Sequence, residues 1–382
     1  MGNTLGGRKY QIKIMSEIIS QKITYKELRD RSYVIKDDRY GIAAFMTESV
    51  RQTLLACPNN NDDSKTAMYL KLCDGIAVGR MMMLGTRIKV GDEVIMVQTG
   101  GAIEVHNEYR RKGLGVGLIM NCMTNTEYDV YIGSLYSTMA LPIFRKLNNY
   151  IFEIPQFVKF CNLRTMLKSM GMKGVLLELC SAIANLPIKC IDFMNRSRLN
   201  KLKKKFNTKK ETIIPEWAGR LATNDGHKYM ELHDRSWLQW NLDYNLMGHM
   251  RDKQSFYAIY DKKGKPQGFV MTKERFEERA GRYQNIIRGT IVEWATIDAN
   301  LLSEADIILM AMSTFSPDTF HIATVTSDKN TEKRLKLLGF IRHGNFQMSF
   351  KDKKEQFKDA SDQNLWRLRY GCCKQLFFNN MI

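Results

Sequence analysis

Arg110, Gly113, Gly115 and Gly117 are the residues whose types and spacing most directly imply chemistry. They stand where an alternating apolar run over 101–105 gives way to an apolar stretch of helical spacing from Leu114 to about Asn125. Glycine lets the backbone come close to a ligand and take up angles that other residues resist. The first N–H groups of a helix have no partner inside it and carry partial positive charge. A strand, a glycine turn and a helix start together make a cradle for a phosphate or pyrophosphate. Arg110, Arg111 and Lys112 add charge beside that cradle. The same spacing also suits a tight strand-to-helix turn that holds no ligand. The glycines are spaced GxGxG, which is not the dinucleotide fingerprint GxGxxG, and no Gly-Lys-Ser/Thr follows as a phosphate loop of the Walker type requires.

The elements that must position this turn fall into three zones: 1–155, 156–212 and 213–382. In the first, residues 16–23 read as a short helix, and 38–55 contain another. Runs over 67–73, 75–84, 93–97 and 101–105 read as strands, with Asp74-Gly75 and Gly91-Asp92 as turns. A strand over 128–135 and a helix over 140–147 follow the glycine turn. The second zone is helix-like and apolar over 165–193. Pro187 breaks it, and Lys173, Glu178, Lys189 and Asp192 interrupt it. A basic run follows without an acid: Arg196, Arg198, Lys201, Lys203, Lys204, Lys205, Lys209 and Lys210. The third zone repeats the order of the first, with a hairpin over 255–272, a strand over 289–297, a helix over 302–315, a strand over 320–325, a helix over 330–338 and a strand over 346–350.

The segment Ile103-x-Val105-x-x-x-Tyr109-Arg110-x-x-Gly113-x-Gly115-x-Gly117-Leu118 resembles the acyl-CoA signature of the GNAT N-acyltransferase superfamily, whose core Arg/Gln-x-x-Gly-x-Gly/Ala is met by Arg110, Gly113 and Gly115. The resemblance covers about residues 34–152. It implies an α/β (α+β) fold with a mixed central sheet flanked by helices. It also implies that backbone N–H groups of Arg111, Lys112, Gly113, Leu114, Gly115 and Val116 hold the CoA pyrophosphate. The main chain at Ile103 and Val105 would pair with the pantetheine arm, and Ser137 stands where the family often has an Asn. The implied cosubstrate is acetyl-CoA, with no metal, and the implied acceptor is a small amine that attacks the thioester directly. The family's usual acid, a Tyr in the helix after the fifth strand, falls on Phe144, which cannot donate a proton. Tyr136 is the nearby candidate for the acid. Glu104 and His106 are candidates for the base, against the alternatives that both are surface residues and that positioning alone carries the rate.

The third zone resembles the same fold without the motif: residues 298–305 replace the glycine loop, and Leu335 fills the Tyr position. The resemblance thus implies tandem domains with a degenerate second copy in an acceptor or structural role. That arrangement is most similar to polysaccharide-locus acyltransferases. Trp237, Trp240, Asp243, Glu293 and Trp366 are candidate lining residues of a cleft between the copies, against the plainer reading that they are core aromatics and solvated carboxylates.

The chain has 382 residues and a formal net charge of +18. Hydrophobic residues make up 44%, enough for a packed core, which excludes a disordered chain. Eight scattered cysteines form neither CxxC nor a zinc-spaced cluster, so a reducing compartment is expected. Residues 1–15 contain no apolar run of signal-peptide length, and a cytoplasmic protein is expected, peripheral to the inner membrane face if the basic run meets anionic lipid. The plainer expectation for 165–210 is a helical hairpin packed on a domain followed by a mobile basic segment. Competing functions are a Fem-type aminoacyltransferase using charged tRNA, a non-catalytic CoA-binding module and a nucleic-acid binder. Nucleic acid is disfavoured, because Phe206 is the sole aromatic residue within the basic run.

Overall fold

The computed structural model describes residues 17–42, 48–125, 127–134, 140–147, 150–244 and 252–372. The first part of the chain forms β1 (Ile18–Thr24), α1 (Tyr25–Asp30), α2 (Glu48–Leu55), β2 (Thr66–Cys73), β3 (Ile76–Val90), β4 (Glu93–Val105), α3 (Leu114–Thr124), β5 (Val130–Ser134), α4 (Leu141–Leu147) and β6 (Tyr150–Phe160). Three helices follow, α5 (Arg164–Ser169), α6 (Gly174–Ala184) and α7 (Leu186–Lys205). The remainder forms β7 (Phe206–Glu211), α8 (Glu216–Thr223), β8 (Tyr229–Glu231), α9 (Arg235–Asp243), β9 (Asp252–Asp261), β10 (Pro266–Ala280), β11 (Tyr283–Thr296), α10 (Glu304–Met312), β12 (Thr319–Val325), α11 (Lys329–Leu337), β13 (Ile341–Asp352) and β14 (Trp366–Arg367).

These strands build one mixed sheet in the order β1-β2-β3-β4-β5-β13-β6-β12-β11-β10-β9-β7. Its two halves repeat one plan. In the first, β4 and β5 run parallel beside the long antiparallel ladder of β3 and β4. In the second, β11 and β12 run parallel beside that of β10 and β11. The halves exchange their last strands. β13 enters between β5 and β6, while β6 lies between β13 and β12. Phe152, Ile154 and Val158 of β6 therefore share a core with Ala323, Val325, Phe346, Met348 and Phe350 from the far end of the chain. Phe157, fully buried, points into the core of the second half beside Trp294 and Ile308.

Three expectations need correction. Residues 18–24 form a strand rather than a helix, because this run, rich in β-branched residues, pairs residue by residue with β2 from Ile18↔Cys73 onward. The runs over 93–97 and 101–105 are one strand bent by a bulge, with Ala102 and Ile103 set against Met81 alone and Ala102 at φ 49°. The basic run is ordered structure: α7 continues to Lys205, Leu202 and Phe206 are buried in the core, and β7 completes the sheet against β9. Pro187 lies in the first turn of α7, where its missing N–H costs nothing.

The exchange predicts a single cooperative unfolding step. All 5 tryptophans lie at or after Trp217; their fluorescence reads the second half and the core that Trp237 and Trp240 share with the first, while far-UV circular dichroism reads the backbone of the whole sheet. The two signals should give the same midpoint in urea. Two separated transitions would show that the halves do not depend on each other.

Candidate active site

β4 and β5 touch for only a short distance: Gln98 pairs with Tyr131 and Thr99 with Ile132, and beyond that the strands part. The resulting fork opens toward Val105 and Ser134. The Ala102 bulge lies on one arm, and it turns backbone groups out of the ladder. At the tip of this arm His106 N–H still donates to Val78 O at 2.9 Å, and Arg110 Nε donates to Val105 O at 3.0 Å. Arg110 therefore ties the turn to the strand. Arg111 and Gly113 both take left-handed backbone angles, φ 64° and 77°, and α3 starts immediately after.

The start of α3 has the properties expected of an anion cradle. Gly113 caps the helix without a side-chain hydrogen bond, and no acid stands in the first turn. The first backbone bond that closes the helix runs from Gly117 N–H to Gly113 O at 2.9 Å, so the N–H groups before it have no partner in the helix. Arg111 and Lys112 are exposed beside them. Ile103 and Val105 turn toward α3 and pack against its core. A Cβ on Gly115 would lie 3.8 Å from Val105 Cγ2, so strand tip and helix start are in close contact.

Lys71 was not found by sequence reasoning. Its Nζ lies 3.3 Å from where a Cβ on Gly117 would be, so the glycine leaves room for the amine beside the first turn of α3. Burial lowers its pKa, and it has no acidic partner among the described residues. An uncompensated cation here adds to the field that favours an anion. Nothing in the sequence around Lys71 signals this, because β2 brings it there only through the sheet register.

Glu104 forms an ion pair with the buried Arg80, whose Nη1 also donates to Ile42 O at 2.5 Å. Burial lowers the Arg80 pKa, and Glu104 opposes that shift. Proton uptake by Glu104 would have to share or break this pair. His106 stacks on Tyr40 with ring centroids 3.8 Å apart, and Tyr40 OH donates to Glu108 Oε2 at 3.2 Å. The Lys112 ammonium lies 4.7 Å from the Tyr109 ring. Phe144 is buried and stacked against Tyr131, with centroids 6.3 Å apart. Tyr136 and Ser137 lie outside the described residues. Trp237, Trp240, Trp366 and Glu293 are buried in the core, and Asp243 is exposed.

Gln98 and Thr99, at the base of the fork, are each 1% exposed. Neither the Gln98 amide nor the Thr99 hydroxyl has a hydrogen-bond partner among the described residues. Buried polar groups are normally paired, and an unpaired one costs about 1–3 kcal/mol. As neighbours on β4, the two side chains leave opposite faces of the sheet, Gln98 on the side of Tyr131 and α3 and Thr99 on the side of Leu84 and Ile132. Their sequence signal was a Gln-Thr pair ending an apolar run.

The second fork, between β11 and β12, is closed by the chain itself. Residues 366–372 run into it: Arg369 bridges to Thr326 just beyond β12, and Gly371 N–H donates to Val292 O of β11 at 3.1 Å. Buried charges hold this segment. Arg367 Nη2 meets Glu293 at 2.6 Å, Arg369 Nη2 meets Glu304 at 2.6 Å, and the Arg369 guanidinium lies 3.7 Å from the Trp294 ring centre. The His233 Nδ1 bonds to Glu293, and its Nε2 lies 3.5 Å from Glu231. Burial opposes charge on this imidazole, but Glu293 and Glu231 outweigh it and raise the pKa above 6.5. Burial alone would raise Glu293, but Arg367 and His233 bring it down to about 2. The start of α10 is likewise occupied, because Ser303 and Asp306 form a capping box and Glu304 stands in the first turn. An anion would meet carboxylates there.

A mixed sheet with a splayed parallel pair, a glycine turn and an uncapped helix at the splay defines a class: the fold is that of the GNAT-type N-acyltransferases, including the two-domain form seen in N-myristoyltransferase. Among solved structures, a conserved Enterococcus faecalis protein described as a probable N-acyltransferase matches with a TM-score of 0.53 at 12% identity, over 90% of this chain and 74% of that one. Saccharomyces cerevisiae N-myristoyltransferase with bound myristoyl-CoA and inhibitors matches with a TM-score of 0.55 at 11% identity, over 89% and 81%. A GCN5-related N-acetyltransferase from Anabaena variabilis matches with a TM-score of 0.50 at 10% identity, over 88% and 73%. No protein-family model matches the chain, and no curated protein matches it in sequence.

Two predictions follow from this geometry. Gln98→Met should raise the melting temperature of the ligand-free protein, by removing an unpaired buried amide, while weakening ligand-dependent stabilisation by acyl-CoA. A loss of stability without ligand would mean that the amide is paired in the fold. His233→Gln should cost up to about 3 kcal/mol, because it removes the cation that Glu231 and Glu293 share, although Arg367 still meets Glu293. The raised pKa means that this stabilisation is complete below pH 6.5 and lost as pH rises through the folded-state value. The gap between wild type and variant should therefore narrow with rising pH, and a gap that widens would contradict the assignment.

Proposed function

We propose that the chain is an acyl-CoA-dependent N-acyltransferase, with acetyl-CoA as cosubstrate and a small amine as acceptor. The observation that carries this reading is the difference between the two forks. The first ends on an uncapped, glycine-rich helix start with Arg111, Lys112 and Lys71 around it. The second is filled by residues 366–372 and faces a helix start bearing Glu304 and Asp306. The first half then carries the chemistry, and the second supports it and borders the acceptor.

In this reading the pyrophosphate rests on the N–H groups of Arg111, Lys112, Gly113, Leu114, Gly115 and Val116. The pantetheine arm lies along Ile103 and Val105, beside Ser137, and the thioester reaches the base of the fork near Gln98 and Thr99. The acceptor nitrogen attacks the carbonyl carbon, a C–N bond forms, the C–S bond breaks, and CoA leaves as the thiol. The nitrogen's proton passes to Glu104 or to water, and Tyr136 supplies the proton to the departing sulfur. A short acyl group is supported by the packing on the α3 side of the fork. Met81, Met83, Cys122 and Phe144 are all buried there, and a Cβ on Gly100 would come within 2.8 Å of Met81 Cε. An amino sugar or a cell-surface precursor is the proposed acceptor, on the similarity of the tandem arrangement to polysaccharide-locus acyltransferases.

Acetyl-CoA should raise the melting temperature by mass action, by the equivalent of about 2.7 kcal/mol at a hundredfold excess over Kd. Gly115→Glu should abolish the shift, because it places a carboxylate in the anion cradle, and Lys71→Met should reduce it. Thiol release with a panel of amines then separates an enzyme from a CoA-binding module. No shift at millimolar acetyl-CoA would overturn the proposal.

A further inference from the structure

We infer that the exposed face of α6 and α7 is a docking surface for an anionic lipid bilayer. The two helices meet at 41°, and together they carry an apolar run long enough to span a membrane, although no single helix is long and apolar enough to cross one. Their apolar side chains are largely not in the core. Val175 is 85% exposed and Phe193 75%, and Leu176, Leu179, Ile183 and Met194 are exposed as well. Contiguous apolar exposure of this kind marks an interaction surface.

Helical spacing places the apolar and basic residues in line. On α7, Leu186, Cys190, Phe193, Ser197, Lys201 and Lys204 recur every three or four residues, and all are exposed. The opposite face carries Leu199 and Leu202, which pack on the core of the second half, and Arg198, whose Nε donates to Asp306 of α10 at 2.7 Å. One face is thus fixed to the protein while the other passes from apolar at its start to lysine at its end.

The charges on this surface point to lipid as the occupant. The two acids within 174–210 are both neutralised internally, Glu178 by Arg164 at 2.5 Å and Asp192 by Lys159 at 2.9 Å. Lys201, Lys203, Lys204 and Lys205 have no acidic partner among the described residues. An exposed apolar stripe beside uncompensated lysines matches a surface that is apolar within and anionic at its rim. A second copy of this chain would bring like charges together.

Sedimentation with vesicles tests this with the whole chain. Vesicles of one part phosphatidylglycerol to three parts phosphatidylcholine should bind it at least tenfold more tightly than phosphatidylcholine alone, with the preference shrinking at high salt. Phe193→Glu should weaken binding about tenfold or more without changing the melting temperature, because that side chain makes little contact with the fold. Lys201→Glu with Lys204→Glu should remove the lipid preference. Absence of binding to the anionic vesicles at low salt, or equal binding to both compositions, would overturn the inference. So would a dimer in lipid-free solution that Phe193→Glu dissociates, which would assign the face to a second copy.

Discussion

β6 and β13 each complete the half of the sheet that the other part of the chain builds. Each strand therefore has partners far away in sequence on both sides: β13 lies between β5 and β6, and β6 between β13 and β12. The hydrogen bonds of β5 and β12 are satisfied only when both ends of the chain are in place, since a strand edge left inside a sheet would bury unpaired backbone groups. This exchange fixes β5 relative to β4, and so it sets the point where the two strands part. The candidate site is a consequence of that register. The Ala102 bulge, the turn and the start of α3 all stand on β4, whose base pairs with β5, and β5 is in turn paired with β13 more than two hundred positions further along the chain.

Two forks of one geometry carry opposite electrostatics. At the first, the helix start has no side-chain cap, no acid in its first turn and three cations nearby. At the second, Ser303 and Asp306 cap the helix, and a network of Glu231, His233, Glu293, Arg367, Arg369 and Glu304 anchors the strap that occupies the space. Buried ion pairs seldom add net stability over apolar packing, but they are costly to break singly. Here they serve position. They hold residues 366–372 in a slot that a flexible segment would otherwise leave and re-enter. The result is a fold with two equivalent openings of which one is available to a ligand.

The legible parts of the chain were those decided locally. The glycine turn, the tip of β4, α3 and β5 are set by alternation, by helical period and by Gly113, whose φ of 77° glycine adopts without strain. The resemblance built on Arg110, Gly113 and Gly115 led to the same fold that the solved structures share. The illegible parts were those decided by distant partners. Residues 18–24 look helical until β2 is beside them, and β6 has no distinctive pattern of its own because the exchange gives it its role. Residues 98–100 read as a break between two strands. They sit instead in one strand next to a bulge, with Gly100 packed against Met81 and Cys122. Lys71, Gln98 and Thr99 could not be placed at the site without the register of three strands.

The net charge of +18 has several physical origins. Lys209 and Lys210 lie on β7, which ends the sheet. Charge on an outer strand discourages pairing with another chain, and Lys209 is already matched to Glu211 at 2.9 Å. Arg198 and Lys159 are tied to Asp306 and Asp192 and act as structural links. Arg111, Lys112 and Lys71 lie around the open helix start and have no acidic partner among the described residues. What remains concentrated and unpaired is the end of α7, in line with its exposed apolar face. Basic residues in one uninterrupted sequence run thus divide among edge protection, helix anchoring and an open surface. The division follows from which face of α7 and which end of the sheet each residue occupies, and sequence order alone does not contain it.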